Sequence, residues 1–232
     1  MLYLTTYFDF GKLLVAIGLM YNCIIMEILE KLFGSQSRVK MMRLFLFNPE
    51  QAYGVDDIVL RAKVIAKEVK EQIAVFEKIG LVKSRQLTQE ISKKKGKKIV
   101  IKKLRVQGWF LDDSFLYMVA LKNLLITVSM KTHEDIAKHF GPVGKIRALI
   151  VSGIFIQDWE SRVDLLIVAD NLKPASLERA VKSLEAEIGR EIRYAAFETS
   201  DFQYRLDIYD KLIRDILDFP HKKVVDKIGI VH

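Results

Sequence analysis

A single cysteine, Cys23, stands in 232 residues. It excludes an internal disulfide framework and a cysteine-based zinc site. It also fits a reducing, cytoplasmic setting, which is the expected location. Proline is equally scarce, at four residues, and half of the chain is apolar. Long disorder is therefore not expected, and the length suffices for one large or two small domains. The four histidines, His133, His139, His221 and His232, share no metal-ligand spacing. No phosphate-cradling glycine loop, internal repeat or Ser/Cys–His triad pattern is present. Neither a metal nor a cofactor is expected.

Long apolar runs are also missing. The first 25 residues, MLYLTTYFDFGKLLVAIGLMYNCII, carry only Asp9 and Lys12 as charges. The uncharged run Leu13–Ile25 is still shorter than the roughly 20 residues of a spanning helix. A basic leader and a small-residue cleavage site are not evident. The segment reads as a weak anchor, as an extra helix packing on the body or on a second subunit, or as an upstream extension of a chain whose folded part opens at Met26. The last is the expectation adopted, and a membrane partner is not expected.

What the sequence has in excess is positive charge, and in one place. Lys83 to Arg105 holds ten basic residues against the single acid Glu90, whereas from Glu134 onward 15 basic residues face 17 acidic ones. Charge concentrated in this way suggests a polyanionic partner.

From Met26 the pattern is helical. Ser35 is placed to cap SQSRVKMMRLFLF, which ends at Asn48-Pro49. A short helix is predicted over 55–61 and a longer one over 65–79, stopped by Gly80. In the longer helix Val69, Ile73, Phe76 and Ile79 form the predicted buried stripe. LVKSRQL and KKIVIKKLRV then alternate as two strands around the basic tip KKKGKK. Helix, helix, turn, helix and basic hairpin, with EQIAVFEKIGLVKSR at the junction, resemble the winged helix-turn-helix of ArsR- and MarR-like regulators. The resemblance implies double-stranded DNA as partner. It places Lys63, Lys67, Lys70, Glu71 and Gln72 towards the groove, with Gln72 the one candidate for reading bases. It places Lys93, Lys94, Lys95, Lys97 and Lys98 on phosphates. Gly108 to Asp113 reads as a turn, with Asp112 or Asp113 capping a linker helix. The apolar residues of that helix, from Phe115 to Val128, would be buried between domains or in a homodimer.

Further on, RALIVSG, VDLLIVAD and EIRYAAF read as buried strands. PASLERAVKSLEAEIG reads as a helix closed by Gly189, and a last helix is predicted over 201–217. Ser161-Arg162-Val163-Asp164-Leu165-Leu166-Ile167-Val168 resembles the metal-binding strand of minimal nucleotidyltransferases of the DNA polymerase beta superfamily. In that strand two carboxylates flank one hydrophobic residue. Here Arg162 replaces the first of them, Ser152-Gly153 reverses the family's Gly-Ser pair, and Arg193, Tyr194 and Ala195 stand where a third acid is needed. The resemblance therefore implies a scaffold without catalysis. Arg162 is expected to pair with Asp164, and Ser152, Gly153, Arg162, Asp164 and Arg193 are the candidate lining of a pocket for a nucleotide or small-molecule effector. Phe202, Tyr204, Arg205 and Tyr209 would pack over that pocket or belong to the core.

The expected fold class is thus α+β. It comprises an N-terminal extension (1–25), a winged helix-turn-helix (26–107), a linker helix (108–132) and a small α/β nucleotidyltransferase-like domain with a mixed sheet (133–232). The expected function is a DNA-binding transcriptional regulator whose C-terminal domain senses a ligand or partner. The alternatives are an active nucleotidyltransferase that uses the winged helix to hold its target, and a membrane-tethered scaffold.

Overall fold

A computed structural model describes residues 28–95, 98–127 and 133–230. The N-terminal extension, Lys97 and the end of the expected linker helix lie outside the described residues. The chain is α+β and divides into two compact units. One comprises Leu29–Ser129 with Lys182–Glu191, the other Met130–Val181 with Ile192–His232.

In the first unit residues 29–33 are helical, and α1 follows over Gln36–Phe47. Ser35 caps α1 as expected, its hydroxyl accepting from the Arg38 amide. A two-residue strand β1 (Tyr53–Gly54) leads into α2 (Val55–Ala62) and α3 (Ala66–Lys78). Val39, Met41, Phe45, Ile58, Val69 and Phe76 are almost fully buried. They form the core because the apolar stripes of three short helices must be hidden together. Phe45 meets the Tyr53 ring edge-on at 5.9 Å. Ile79 departs from the expected stripe. It caps the end of α3 and is 52% exposed, and Leu81, fully buried after Gly80, takes its place in the core.

Strands β2 (Val82–Lys95) and β3 (Lys98–Leu111) form one antiparallel hairpin, with β1 against the base of β3 in the order β1-β3-β2. At about 3.4 Å per residue each strand is some 48 Å long. β1 pairs only with Gly108 and Trp109, so from Gln86 to Lys95 the hairpin is a two-stranded ribbon. The turn expected over 108–113 is shorter: the strand continues to Leu111. Asp112 closes the turn by accepting from the Ser114 amide and hydroxyl rather than capping a helix. The expected long linker helix is a single short helix, α4 (Met118–Lys122), running into a π turn at Asn123–Thr127. Leu125 is buried, whereas Leu116 and Val119 are mostly exposed.

The second unit opens with α5 (His133–His139) and holds a four-stranded sheet, β6-β5-β4-β7. Its strands are β4 (Lys145–Val151), β5 (Leu165–Asp170), β6 (Tyr194–Glu198) and β7 (Lys222–Asp226). β5 and β6 are parallel and the other pairings antiparallel, so the sheet is mixed. Leu165 to Ala169 are all buried, which is why LLIVA is continuously apolar rather than alternating. Helix α6 spans Pro174–Ile188, and its residues from Lys182 onward belong to the first unit. Two features depart from expectation. The last helix is broken into α7 (Thr199–Asp207) and α8 (Lys211–Asp218) at Tyr209, whose φ is +56°, and Asp210 caps α8 through the Leu212 and Ile213 amides. The strand β7, unforeseen in the sequence, completes the sheet beside β4. Phe202 is core, whereas Tyr204 and Tyr209 are exposed; Arg205 lies 5.0 Å from the Phe197 ring and pairs with Asp201 and Asp210.

Two carboxylates link this fold to pH. Hydrogen bonding from the Ser114 hydroxyl, then from Lys83, holds the Asp112 carboxyl down at about 2. The Thr199 hydroxyl and then Arg147 hold Asp170 below its ordinary value. A folded-state value below that of the unfolded chain (about 3.9) gives stability that is complete above that range and lost as pH falls through the folded-state value. Asp112→Asn and Asp170→Asn are each expected to flatten the fall of the urea midpoint below pH 4, as measured by tryptophan fluorescence.

Candidate nucleic-acid interface and the buried carboxylate

Helix α3 presents two opposed faces. Val69, Ile73 and Phe76 point into the core, while Lys67, Lys70, Ala74 and Lys78 recur at three- and four-residue spacing along the exposed side. Helical rise spreads these three lysines over about 16 Å. Lys63 is also exposed, at the end of α2, with a left-handed φ of +51°. Lys78 was not among the sequence candidates. The signal was there, since it lies eleven residues, three turns, beyond Lys67.

Gln72 does not join this face. It is 9% exposed, and its Oε1 accepts from Arg38 Nε at 2.6 Å. Arg38 also donates to the Phe33 carbonyl, so one side chain fastens α3 to the chain before α1. The physical reason is angular. Position 72 lies on the edge of the stripe formed by 69, 73 and 76, and an amide there is buried once it finds a partner. Gln72→Ala is expected to cost about 1 kcal/mol in urea unfolding and to leave any duplex affinity unchanged.

Lys93, Lys94 and Lys95 lie at the end of β2 and Lys98 at the start of β3, paired in register as Lys93↔Val100, Lys94↔Ile99 and Lys95↔Lys98. The hairpin thus carries its charge at the end farthest from the core. Nearer its base, Lys103 and Arg105 are exposed, and Arg85 stacks 5.1 Å from the Phe110 ring.

In the other unit the structure brings Ser152, Gly153, Asp164 and Arg193 together and turns Arg162 away from them. Asp164, just before β5, is 1% exposed. Its two oxygens accept from Arg193 Nε and Nη2, both at 3.1 Å, from the Arg193 amide at 2.9 Å and from the Ile154 amide at 3.1 Å. The carboxylate is held by two amides and a bidentate guanidinium. Gly153 lies directly against it: a Cβ there would stand 2.0 Å from Asp164 Oδ1. The expected pairing of Arg162 with Asp164 does not form. Arg162 instead donates to Asp215 on α8 at 2.7 Å, 53 residues away. Ser152 is buried, its hydroxyl donating to the Pro220 carbonyl and lying 3.1 Å from the Ser161 hydroxyl. The opening beside Arg162, about 470 Å³, is lined by Asp158, Glu160 and Asp215 against that one guanidinium. Such a lining disfavours a phosphate.

Among the described residues no group of three or more His, Cys, Asp or Glu side chains is placed to hold a metal ion. Among them, too, no helix is long and apolar enough to cross a membrane. No protein-family model, curated protein or solved structure matches the chain.

Proposed function

We propose that the chain is a DNA-binding transcriptional regulator with a winged helix-turn-helix. The carrying observation is the exposed lysine stripe of α3, opposite the buried Val69, Ile73 and Phe76. In this reading α2 and α3 form the helix pair, and α3 enters the major groove with Lys67, Lys70 and Lys78 against its phosphates and guanine edges. Lys63 adds a contact at the turn. The hairpin's Lys93, Lys94, Lys95, Lys97 and Lys98 reach further phosphates. With Gln72 buried, α3 offers no side-chain amide to adenine. Sequence preference then rests on lysine contacts to guanine edges and on duplex deformability.

The nucleotidyltransferase-like domain serves in this proposal as a module for a ligand or partner, without catalysis. Asp164 supports that role, because its carboxylate accepts four hydrogen bonds from the protein itself. An active transferase would need it free for a cation shared with substrate phosphates.

Duplex binding across a salt series tests the proposal. Log affinity is expected to fall linearly with log salt, by about 0.9 per phosphate neutralised. Absence of binding at low salt would overturn it.

A further inference from the structure

The unit of Met130–Val181 and Ile192–His232 holds the opening of about 470 Å³ beside Arg162. Ligand cavities span roughly 300–1,000 Å³, so a compact organic molecule fits. Serine hydroxyls fix the two chain segments that meet there. Ser152, itself buried, donates to the Pro220 carbonyl at 2.7 Å, and Ser161 donates to the Val163 carbonyl at 2.8 Å. The two hydroxyls lie 3.1 Å apart, which keeps the 161 and 220 sides of the opening together. A site built in advance in this way loses little ordering entropy on binding.

The lining is negative. It holds Asp158, Glu160 and Asp215 against the one guanidinium of Arg162, an excess of two carboxylates. Arg162 and Asp215 satisfy each other at 2.7 Å. Among the described residues no cation pairs with Asp158 or Glu160. Asp158 is instead fixed by the Glu160 amide, which donates to it at 3.1 Å.

An anion would be repelled here. A metal ion does not suit the opening either. Among the described residues no three His, Cys, Asp or Glu side chains are placed to hold one, and a hard cation takes roughly six oxygen ligands or more. The aromatic wall separates a metal from an organic cation. Phe219, the residue that follows α8, lines the opening and is 59% exposed. The face of its ring attracts an ammonium group through the quadrupole and offers a metal ion no ligand.

We propose that this opening binds a small organic ammonium ion on a compact apolar body. The ammonium group is met by Asp158 and Glu160, and Phe219 and Pro220 cover the apolar body. The proposal rests on the ligand-module role given to this unit above and names the class of ligand. The titration that tests it contains no DNA, so its failure and a failure of duplex binding are read separately.

Phenethylammonium is a suitable probe. 2-Phenylethanol and phenylacetate keep its shape while removing or reversing its charge. In an amide-shift titration of the full chain, phenethylammonium is expected to move the Glu160 and Phe219 amides saturably, and the other two compounds to move them weakly or not at all. Glu160→Lys, at an exposed position, should weaken the cation about tenfold, since an attraction is replaced by a repulsion. Phe219→Leu keeps the apolar surface and should weaken it about threefold. Arg162→Gln should act in the opposite direction and tighten it about threefold, because Asp215 is then left for the ligand. Melting curves of the three variants should match the parent, since all three side chains are exposed. The proposal is overturned if phenethylammonium gives no saturable shift at these amides, if 2-phenylethanol binds as well, or if Arg162→Gln weakens the cation. It is equally overturned if a nucleotide moves the same amides and phenethylammonium does not displace it.

Discussion

Replacing Asp164 with alanine is expected to destabilise its unit by about 3 kcal/mol. Removing one partner of a buried charge pair typically costs 3–5 kcal/mol. The lower end applies because Arg193 is 47% exposed and regains water when its partner is lost. The buried Ile154 amide has no such recourse, since its acceptor at 3.1 Å disappears. Asp164→Asn should recover only part of the loss. Its amide oxygen can still accept from Ile154, but its NH₂ then faces the Arg193 donors. Hydrogen exchange separates these effects by residue, and does not require both units to unfold as one. The Ile154 amide should lose protection in the alanine variant and keep some in the asparagine variant. Gly153→Ala approaches the same arrangement from the other side. A left-handed φ of +53° and a 2.0 Å clash with Asp164 Oδ1 should together displace the carboxylate. An Asp164→Ala chain as protected and stable as the parent would mean that the carboxylate is held in reserve for some other purpose, as a catalytic group often is.

This contrast between a committed and a poised carboxylate was half legible in the sequence. VDLLIVAD identified the buried strand, and Arg162 flagged that a second carboxylate was missing. The identity of Asp164's partner was not legible. Arg193 lies 29 residues further on, and Arg162 finds Asp215 at a separation of 53. Long-range ion pairs leave no local pattern, whereas helix spacing does. The same division runs through the fold. Ser35, Gly80 and the 69–73–76 stripe act over one or two turns and were readable. The break at Tyr209 was not, because no glycine or proline interrupts YRLDIYDKLI and its apolar period continues across the break. Strand β7 was hidden for a different reason. KKVVD is short and three of its five residues are charged, as suits the edge of a sheet, and only its pairing with β4 makes it a strand. Gln72 shows the reverse error, in which the residue's chemistry suggested base reading and its position at the edge of a buried stripe decided otherwise.

The largest expected effect on function belongs to the hairpin. Changing Lys93, Lys94, Lys95, Lys97 and Lys98 together to alanine should reduce the salt slope of duplex binding by up to about 4.5, which is 0.9 for each phosphate no longer neutralised. At moderate salt this corresponds to an affinity loss on the order of a thousandfold or more, shared evenly among sequences, because lysine–phosphate pairs position the protein without reading bases. Lys67→Ala and Lys70→Ala should lower the slope by roughly one each. They should also change the preference among duplexes, since α3 is the element proposed to lie against base edges. The hairpin variant is well suited to this comparison. From Gln86 to Lys95 no third strand pairs with the ribbon among the described residues, and the charged positions lie at its far end from the core. Melting of the α1–α3 body should therefore be unchanged. If the five-lysine variant keeps the parental slope while Lys67→Ala and Lys70→Ala reduce it, the duplex is held by α3 alone and the hairpin's charge serves another polyanion. If none of the variants alters the slope, the lysine stripe is a solvated face, and the polyanion-binding surface must be sought elsewhere on the chain.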